Sequence, residues 1–292
     1  MVDSSPVRTH AELRGIIGMV HVGALPGTPR AHLTPQELVA HAVREARTLR
    51  DAGFDAVMLE NMHDRPYLGG GIGAEIVACM SAVCAAVRTA VDCPIGIQIL
   101  GGGSREALAV AHATGLDFVR AENFVFAHVA DEGLMTEAAA GPLLRFRKSI
   151  GADRVQVFAD IKKKHAAHAI TGDVDIAACA RAAEFFLADG VIVTGTETGA
   201  AVDESELNAV RSATKLPVFT GSGATNESVA RLLSNADAVI VGSFVKEGGR
   251  WEHDVCPKRA AEFVNAARGA RRVEAPGMDA VRAMFSGRPS ST

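Results

Sequence analysis

Leu216-Pro217-Val218-Phe219-Thr220-Gly221-Ser222-Gly223-Ala224-Thr225-Asn226-Glu227-Ser228 is followed by a helical stretch and then by Ala236-Asp237-Ala238-Val239-Ile240-Val241-Gly242-Ser243-Phe244. Two short apolar runs each stop abruptly at glycine and hydroxyl residues. Runs this short with sharp ends read as buried parallel strands. Gly221 and Gly223 allow a tight turn and a close approach of ligand to backbone amides. A segment with Val229, Leu232 and Leu233 on a helical period follows, so a helix N-terminus is expected behind the loop, favouring an anion. Paired loops after the last two strands are where (β/α)8 barrels hold phosphate. The expectation is a phosphate cradle made by Gly221, Ser222, Gly223, Ala224, Gly242 and Ser243. The run Gly221-x-Gly223 lacks a third glycine at Asn226, so the dinucleotide fingerprint is incomplete.

Outward from this stretch, the same unit of strand, polar loop and helix repeats along the chain. Strands are expected at residues 16–22, 54–60, 95–100, 118–123, 155–161, 191–194, 218–220 and 239–241. Helices are expected at 34–52, 74–91, 104–114, 140–149, 173–187, 203–213, after 225 and at 257–267. Thr34-Pro35-Gln36-Glu37 is a capping box with proline at the first helical position. Ser104 is expected to cap the third helix, and residues 124–136 read as a long irregular stretch. Eight right-handed units close a parallel barrel, so the expectation is a single-domain α/β fold, a (β/α)8 TIM barrel, over residues 1–292. Residues 1–14 read as a lead-in and 270–292 as a loose tail.

Composition narrows the function. The chain of 292 residues is 48% hydrophobic with a formal net charge of -4, which fills a core and gives no basic surface for nucleic acid. Five cysteines in no C-x-x-C pair fit a reducing compartment. No run reaches membrane-spanning length, and the polar N-terminus shows no signal-peptide pattern. A cytoplasmic homo-oligomer without an integral membrane segment is expected.

Barrel active sites lie at strand C-terminal ends, and here those ends are polar. His21, Glu60, Asn61, Gln98, Arg120, Glu122, Asn123, Asp160, Lys162, Thr194, Thr196 and Thr220 stand there. Period-2 alternation puts Asp160 and Lys162 on one face with Gln156 and Phe158. Both are expected to point inward, with Lys163 on the opposite parity and with Lys163 and Lys164 read as solvated charges. Glu60, Glu122, Asp160 and Lys162 are the catalytic candidates. The carboxylates would act as acid or base, and Lys162 as oxyanion stabiliser or imine former. His21, Asn61, Gln98, Arg120, Asn123, Thr194 and Thr220 are the ligand-binding candidates. His165 and His168 are spaced for a metal, but the pair alone is a weak signal. His21 is single, so carboxylate-held Mg2+ is a better fit than a zinc site.

The chain resembles the BtpA/SgcQ family, named for a photosystem I biogenesis factor. The resemblance lies in Gly18-Met19-Val20-His21-Val22-Gly23-Ala24-Leu25-Pro26-Gly27, Glu60-Asn61, Arg120-Ala121-Glu122-Asn123, Phe158-Ala159-Asp160-Ile161-Lys162-Lys163-Lys164-His165, Val193-Thr194-Gly195-Thr196-Glu197-Thr198-Gly199 and Gly221-Ser222-Gly223-Ala224. It implies a barrel of the ribulose-phosphate-binding group and leaves the reaction open. Three functions follow as expectations. The first is a lyase or isomerase with acid-base chemistry on a small phosphorylated metabolite. The second is a non-catalytic assembly factor for a membrane protein complex. The third is a metal-dependent hydrolase using His21, Glu60 and Asp160.

Overall fold

The computed structural model describes residues 13–195 and 202–274. Eight parallel strands close a barrel: β1 Gly15–His21, β2 Ala56–Glu60, β3 Ile95–Gln98, β4 Phe118–Ala121, β5 Gln156–Ile161, β6 Gly190–Val193, β7 Val218–Thr220 and β8 Ala238–Val241. Each strand pairs with its neighbours in sequence, and β8 returns to β1 with Gly15 opposite Ala238 and Gly18 opposite Val241. The helices are α1 Pro35–Ala52, α2 Ala74–Ala90, α3 Ser104–Thr114, α4 Ala140–Ser149, α5 Ile176–Phe185, α6 Glu204–Ala213, α7 Val229–Asn235 and α8 Pro257–Glu274. The expected barrel is the observed one. Thr196 and the lead-in up to residue 12 fall outside the described residues, as does the tail from 275.

Local chemistry sets the element ends. The Thr34–Glu37 capping box forms in both directions, and Gly53 closes α1 in the left-handed region at φ 100°. Asp175 caps α5 by accepting from the Ala178 N–H at 2.6 Å, which starts that helix at Ile176 rather than at 173. Gly103, not Ser104, precedes α3, and Ser104 lies in its first turn. Helix α8 continues past the expected end at 267 to Glu274. The stretch 124–136 is not irregular throughout. His128–Ala130 and Gly133–Met135 form an antiparallel ribbon, and Ala166–Ala167 adds a third strand.

The bottom of the barrel is held by a repeated device. Asp55, Asp117, Asp189 and Asp237 stand just before β2, β4, β6 and β8. Their carboxylates accept from the backbone N–H of Ile16 (2.8 Å), Ile95 (2.8 Å), Val157 (2.7 Å) and Val218 (3.0 Å). Each thus ties its own strand to the one before. Arg88, Arg147 and Arg211, on α2, α4 and α6, reach Asp117, Asp189 and Asp237 at 3.1, 2.6 and 2.6 Å. Charge-assisted bonds of this kind are among the stronger ones.

Above this floor the interior is filled by Ile17, Met19, Ala56, Met58, Phe118, Phe158, Ile192, Phe219, Ala238 and Ile240. Phe158 stacks on Phe219 at 4.4 Å and meets Phe118 edge-on at 5.7 Å. These rings fit because β3 and β6 supply glycines opposite them. A Cβ on Gly96 would come within 2.1 Å of the Phe118 ring, and one on Gly190 within 2.5 Å of Phe158. The larger core cluster packs between barrel and helices. Asp117→Ala should lower stability by about 1–3 kcal/mol, because it strands the Ile95 N–H and removes the Arg88 partner. Urea unfolding followed by circular dichroism measures this, with the Asp153→Ala surface change as the near-neutral control.

Candidate functional site

The layer directly above the aromatic rings is polar. His21, Glu60, Gln98, Arg120, Asp160 and Thr194 are buried and share parity with Met19, Met58, Gly96, Phe118, Phe158 and Ile192, so all six face inward. Register places His21 opposite Glu60 and Glu60 opposite Gln98. Arg120 Nε lies 3.1 and 3.0 Å from the two oxygens of Asp160. His21 Nδ1 donates to the Trp251 carbonyl at 2.9 Å, and its Nε2 stands 3.8 Å from Glu60 Oε2. The carbonyl can only accept, so neutral His21 presents an unprotonated Nε2 to the mouth.

Parity fails at the lysine run. The strand ends at Ile161, and Lys162 takes a left-handed backbone with φ 45°. Lys162 therefore lines neither cavity of the mouth. It lines a separate narrow cavity with Asp160, His168, Thr171 and, from α5, Cys179. Lys163, expected in solvent, is buried and donates to Glu122 Oε1 at 3.0 Å, with Glu132 at 4.0 Å. Lys164 lines the mouth, and its N–H donates to Thr194 Oγ1 at 3.1 Å.

Three further candidates line neither cavity of the mouth. Thr220 shares parity with Val218 of the outer core, not with inward Phe219, and is wholly buried away from the mouth. Asn61 is committed to the protein at both ends of its amide. It accepts from the Leu100 N–H at 2.7 Å and donates to Asp64 at 2.8 Å, while Asp64 accepts from the Leu25 N–H at 2.8 Å. It ties three loops together. Asn123, left-handed at φ 52°, donates to the Glu137 carbonyl and lines a side cavity of about 370 Å³ that also touches Glu122.

Two cavities open at the mouth. One, of about 180 Å³, is lined by Gly221, Ser222, Gly223, Ala224, Gly242 and Ser243 together with His21, Glu60, Arg120 and Lys164. The helix expected behind the first loop begins only at Val229 and is short; the loop itself, with Gly223 at φ 65°, forms the wall. The second cavity, of about 270 Å³, is lined by Gln98, Glu122, Glu132, Asp160, Lys163, Tyr67 and Trp251. Both share Glu60, Met62, Arg120 and Lys164. Lys164, Glu132, Tyr67 and Trp251 escaped the sequence reading. The legible hints are Tyr67 and Trp251, the chain's single tyrosine and single tryptophan.

Burial moves the charges. It pushes the Glu60 and Asp160 carboxyls above their ordinary range, against the pull of Arg120. Burial, reinforced by Arg120, draws the Lys164 ammonium down, opposed by Glu60 and Asp160. It pulls His21 well down and His63 to about 4, each helped by Lys246. For Arg120 and Lys163 the carboxylates outweigh burial and the pKa rises. Such opposed shifts bring the ionisations of carboxyl and ammonium closer together, as proton transfer between them requires.

Among the described residues, three metal-ligand atoms lie within 4.8 Å of one another only at His41, Glu45 and Asp254. There Lys246 Nζ already meets Glu45 at 2.8 Å. His21, Glu60 and Asp160 form no such group. His165 faces Asp131 at 3.8 Å and His168 meets the Lys163 carbonyl at 3.0 Å, so the two histidines do not converge.

The chain is similar to proteins from several domains of life. It is 43% identical over 262 residues to an uncharacterised mitochondrial protein of Caenorhabditis elegans, covering 88% of this chain and 94% of that one. It is 32% identical over 252 residues to the photosystem I biogenesis protein BtpA of Synechocystis, covering 86% and 87%. Among solved structures, thiamine phosphate pyrophosphorylase from Pyrococcus furiosus superposes with a TM-score of 0.55 at 13% identity, covering 89% and 97%. A 3-hexulose-6-phosphate synthase does so with a TM-score of 0.54 at 14% identity, covering 87% and 99%. These likenesses show a TIM-barrel fold. The BtpA family model matches residues 12–269, and with that match this chain belongs to the BtpA family.

Proposed function

We propose that this barrel is an enzyme acting on a small phosphorylated metabolite by acid-base chemistry of the isomerase or lyase type. The observation that carries the reading is continuity. The glycine-walled cavity and the carboxylate-lined cavity share Glu60, Arg120 and Lys164. A phosphate among the amides of Gly221–Ala224 and Gly242–Ser243 would set the rest of a ligand over those side chains. The solved neighbours named for phosphorylated compounds support this.

In this reading Glu60 accepts the substrate proton, with the unprotonated Nε2 of His21 beside it. Lys164, its ammonium weakened by burial, stabilises the developing oxyanion or forms an imine. Arg120 holds Asp160 in place and supplies positive charge between the two cavities. Glu122 and Lys163 form the far wall. Lys162 leaves the catalytic set. The assembly-factor reading draws on the name of the Synechocystis relative; against it stands a layer of buried charge that scaffolding does not require. The hydrolase reading has less support, since Asp160 is engaged by Arg120. Cys79, Cys84, Cys93 and Cys179 are buried free thiols, which supports a reducing compartment, the cytoplasm in our reading. Among the described residues no helix is long and apolar enough to cross a membrane. A homo-oligomer remains part of the proposal, to be read by light scattering.

Trp251 lies at the mouth and reports on it. Titration with inorganic phosphate, then with a phosphorylated-metabolite panel with and without Mg2+, should quench or shift its fluorescence. Ser243→Asp, which places a carboxylate in the cradle, should weaken phosphate at least about tenfold without a change in melting temperature. Phosphate binding as tight as in the unmodified protein would place the anion elsewhere.

Lys164→Met should cost turnover on any converted compound by about 100-fold or more, while Lys162→Met stays within about twofold. Equal losses in the two would remove Lys164 from the chemistry.

The pH profile follows from Glu60. Its carboxyl is raised, so the basic form is lost as pH falls through a value above the ordinary carboxylate pKa of about 4.3. The acid limb of kcat/KM should lie above that range and disappear, with activity, in Glu60→Gln. A limb at the ordinary value would assign the base to another group.

A further inference from the structure

The side cavity of about 370 Å³ lies between the loops after β2, β3 and β4 and has no part in the proposed chemistry. It shares no lining residue with the glycine-walled cavity, and only Glu122 with the second cavity of the mouth. Two adjacent residues give it buried acceptors without donors. Asn123, 8% exposed, donates through Nδ2 to the Glu137 carbonyl and leaves Oδ1 with no hydrogen-bond partner. Glu122, 7% exposed, spends Oε1 on Lys163 at 3.0 Å, and its Oε2 has no partner. Buried polar atoms nearly always have partners, and an unmet one is costly. Among the described residues, no buried side-chain donor without a partner lines this cavity. Its occupant must therefore bring donors.

The charges on its walls are mostly of one sign. Glu106, Glu122 and Glu137 line it with a single cation, Arg105. The Arg105 guanidinium lies over the Phe146 ring, 4.3 Å from its centre. Lys163, which pairs with Glu122, lines the mouth instead. The amides that open α3 carry positive partial charge, and Glu106 in that first turn already complements it. An anionic group would meet three carboxylates and could donate to neither unmet acceptor. A hydroxyl offers one donor and no charge. An ammonium offers three donors on one atom together with the opposite charge. Ile72, Met135, Pro142 and Leu143 supply an apolar flank, against which a methylene stem can lie.

We propose that the side cavity binds a small primary amine in its ammonium form. Glu122 Oε2 and Asn123 Oδ1 accept from the ammonium, and the carbon chain lies along the apolar flank. The site is separate from the glycine-walled cavity and does not depend on the phosphate reading. Through Glu122 it borders the mouth, because the same carboxylate holds Lys163 on the other side.

Calorimetry on the full chain with butylamine and putrescine, both protonated at neutral pH, tests this. At least one should bind about tenfold or more tighter than butanol, butyrate and butyltrimethylammonium. These controls lack, in turn, the charge, its sign and the N–H donors. Glu122→Gln keeps an acceptor for Lys163 and turns the unmet oxygen into an N–H donor. Leu134→Lys, at a 60% exposed position on the cavity rim, sets the protein's own ammonium beside the site. Each variant should weaken amine binding about tenfold or more, and Leu134→Lys should do so at an unchanged melting temperature. If Glu122→Gln fails to fold, Leu134→Lys decides. No amine binding would overturn the proposal. So would butanol or butyltrimethylammonium binding as tightly as the amines, since neither the charge nor the donors would then matter. Amine binding indifferent to Leu134→Lys would place the amine among the acids of the mouth and overturn it as well. Mg2+ that displaces butylamine at matched ionic strength would make this a metal site and overturn it too. Phosphate titrations bear on the glycine-walled cavity alone, so the two readings fail separately.

Discussion

The site depends on strand register, and register is held from below by carboxylates. Asp55, Asp117, Asp189 and Asp237 each clip a backbone N–H of the first or second residue of the preceding strand. A slip of one residue in any strand would turn its inward set outward. That would bring the outer-core residues Val20, Leu59, Val119 or Ala159 into the barrel in place of Met19, Met58, Phe118 or Phe158. It would also carry His21, Glu60, Arg120 or Asp160 out of the mouth. The clips sit at the end of the barrel opposite to the chemistry. Stability and function are thereby divided between the two ends, as is usual for this fold.

Above the clips, the stacked rings of Phe158 and Phe219 and the edge of Phe118 make a dry floor. Charges standing on it are poorly solvated. Each buried ion costs several kcal/mol before pairing, and an apolar layer of the same volume would be as stable or more so. The protein meets this cost with two close pairs, Arg120 with Asp160 and Lys163 with Glu122. Among the described residues Glu60 and Lys164 have no ion pair as close as these, and burial shifts both toward their neutral forms. That asymmetry separates the residues that hold the layer together from those free to exchange protons.

The ribbon after β4 completes the mouth. Its turn brings Glu132 to within 4.0 Å of Lys163, and its inner face buries His128. From the other side, the segment after β8 lays Trp251 against His21 and His63 and under the Arg65 guanidinium, 4.5 Å from the ring centre. The wall of the second cavity is thus assembled from segments far apart in the chain.

The sequence by itself determined the barrel, because alternation of short apolar runs with helical periods has few other solutions. It located the glycine loops at Gly221 and Gly242 and most of the inward polar ring, because within a regular strand parity is a local property. His21, Glu60, Gln98, Arg120, Asp160 and Thr194 were legible in this way. Only the tertiary structure decided what happens where strands end. At Lys162 a left-handed residue breaks the alternation and delivers Lys163 and Lys164 instead. Thr220 stands at a strand end but shares the parity of outward Val218 and not of inward Phe219, so it does not reach the mouth. Asn61 could not be assigned from its position alone, since its partners Leu100 and Asp64 belong to folded loops. Trp251 and Glu132 reach the mouth through loop paths that no periodicity encodes.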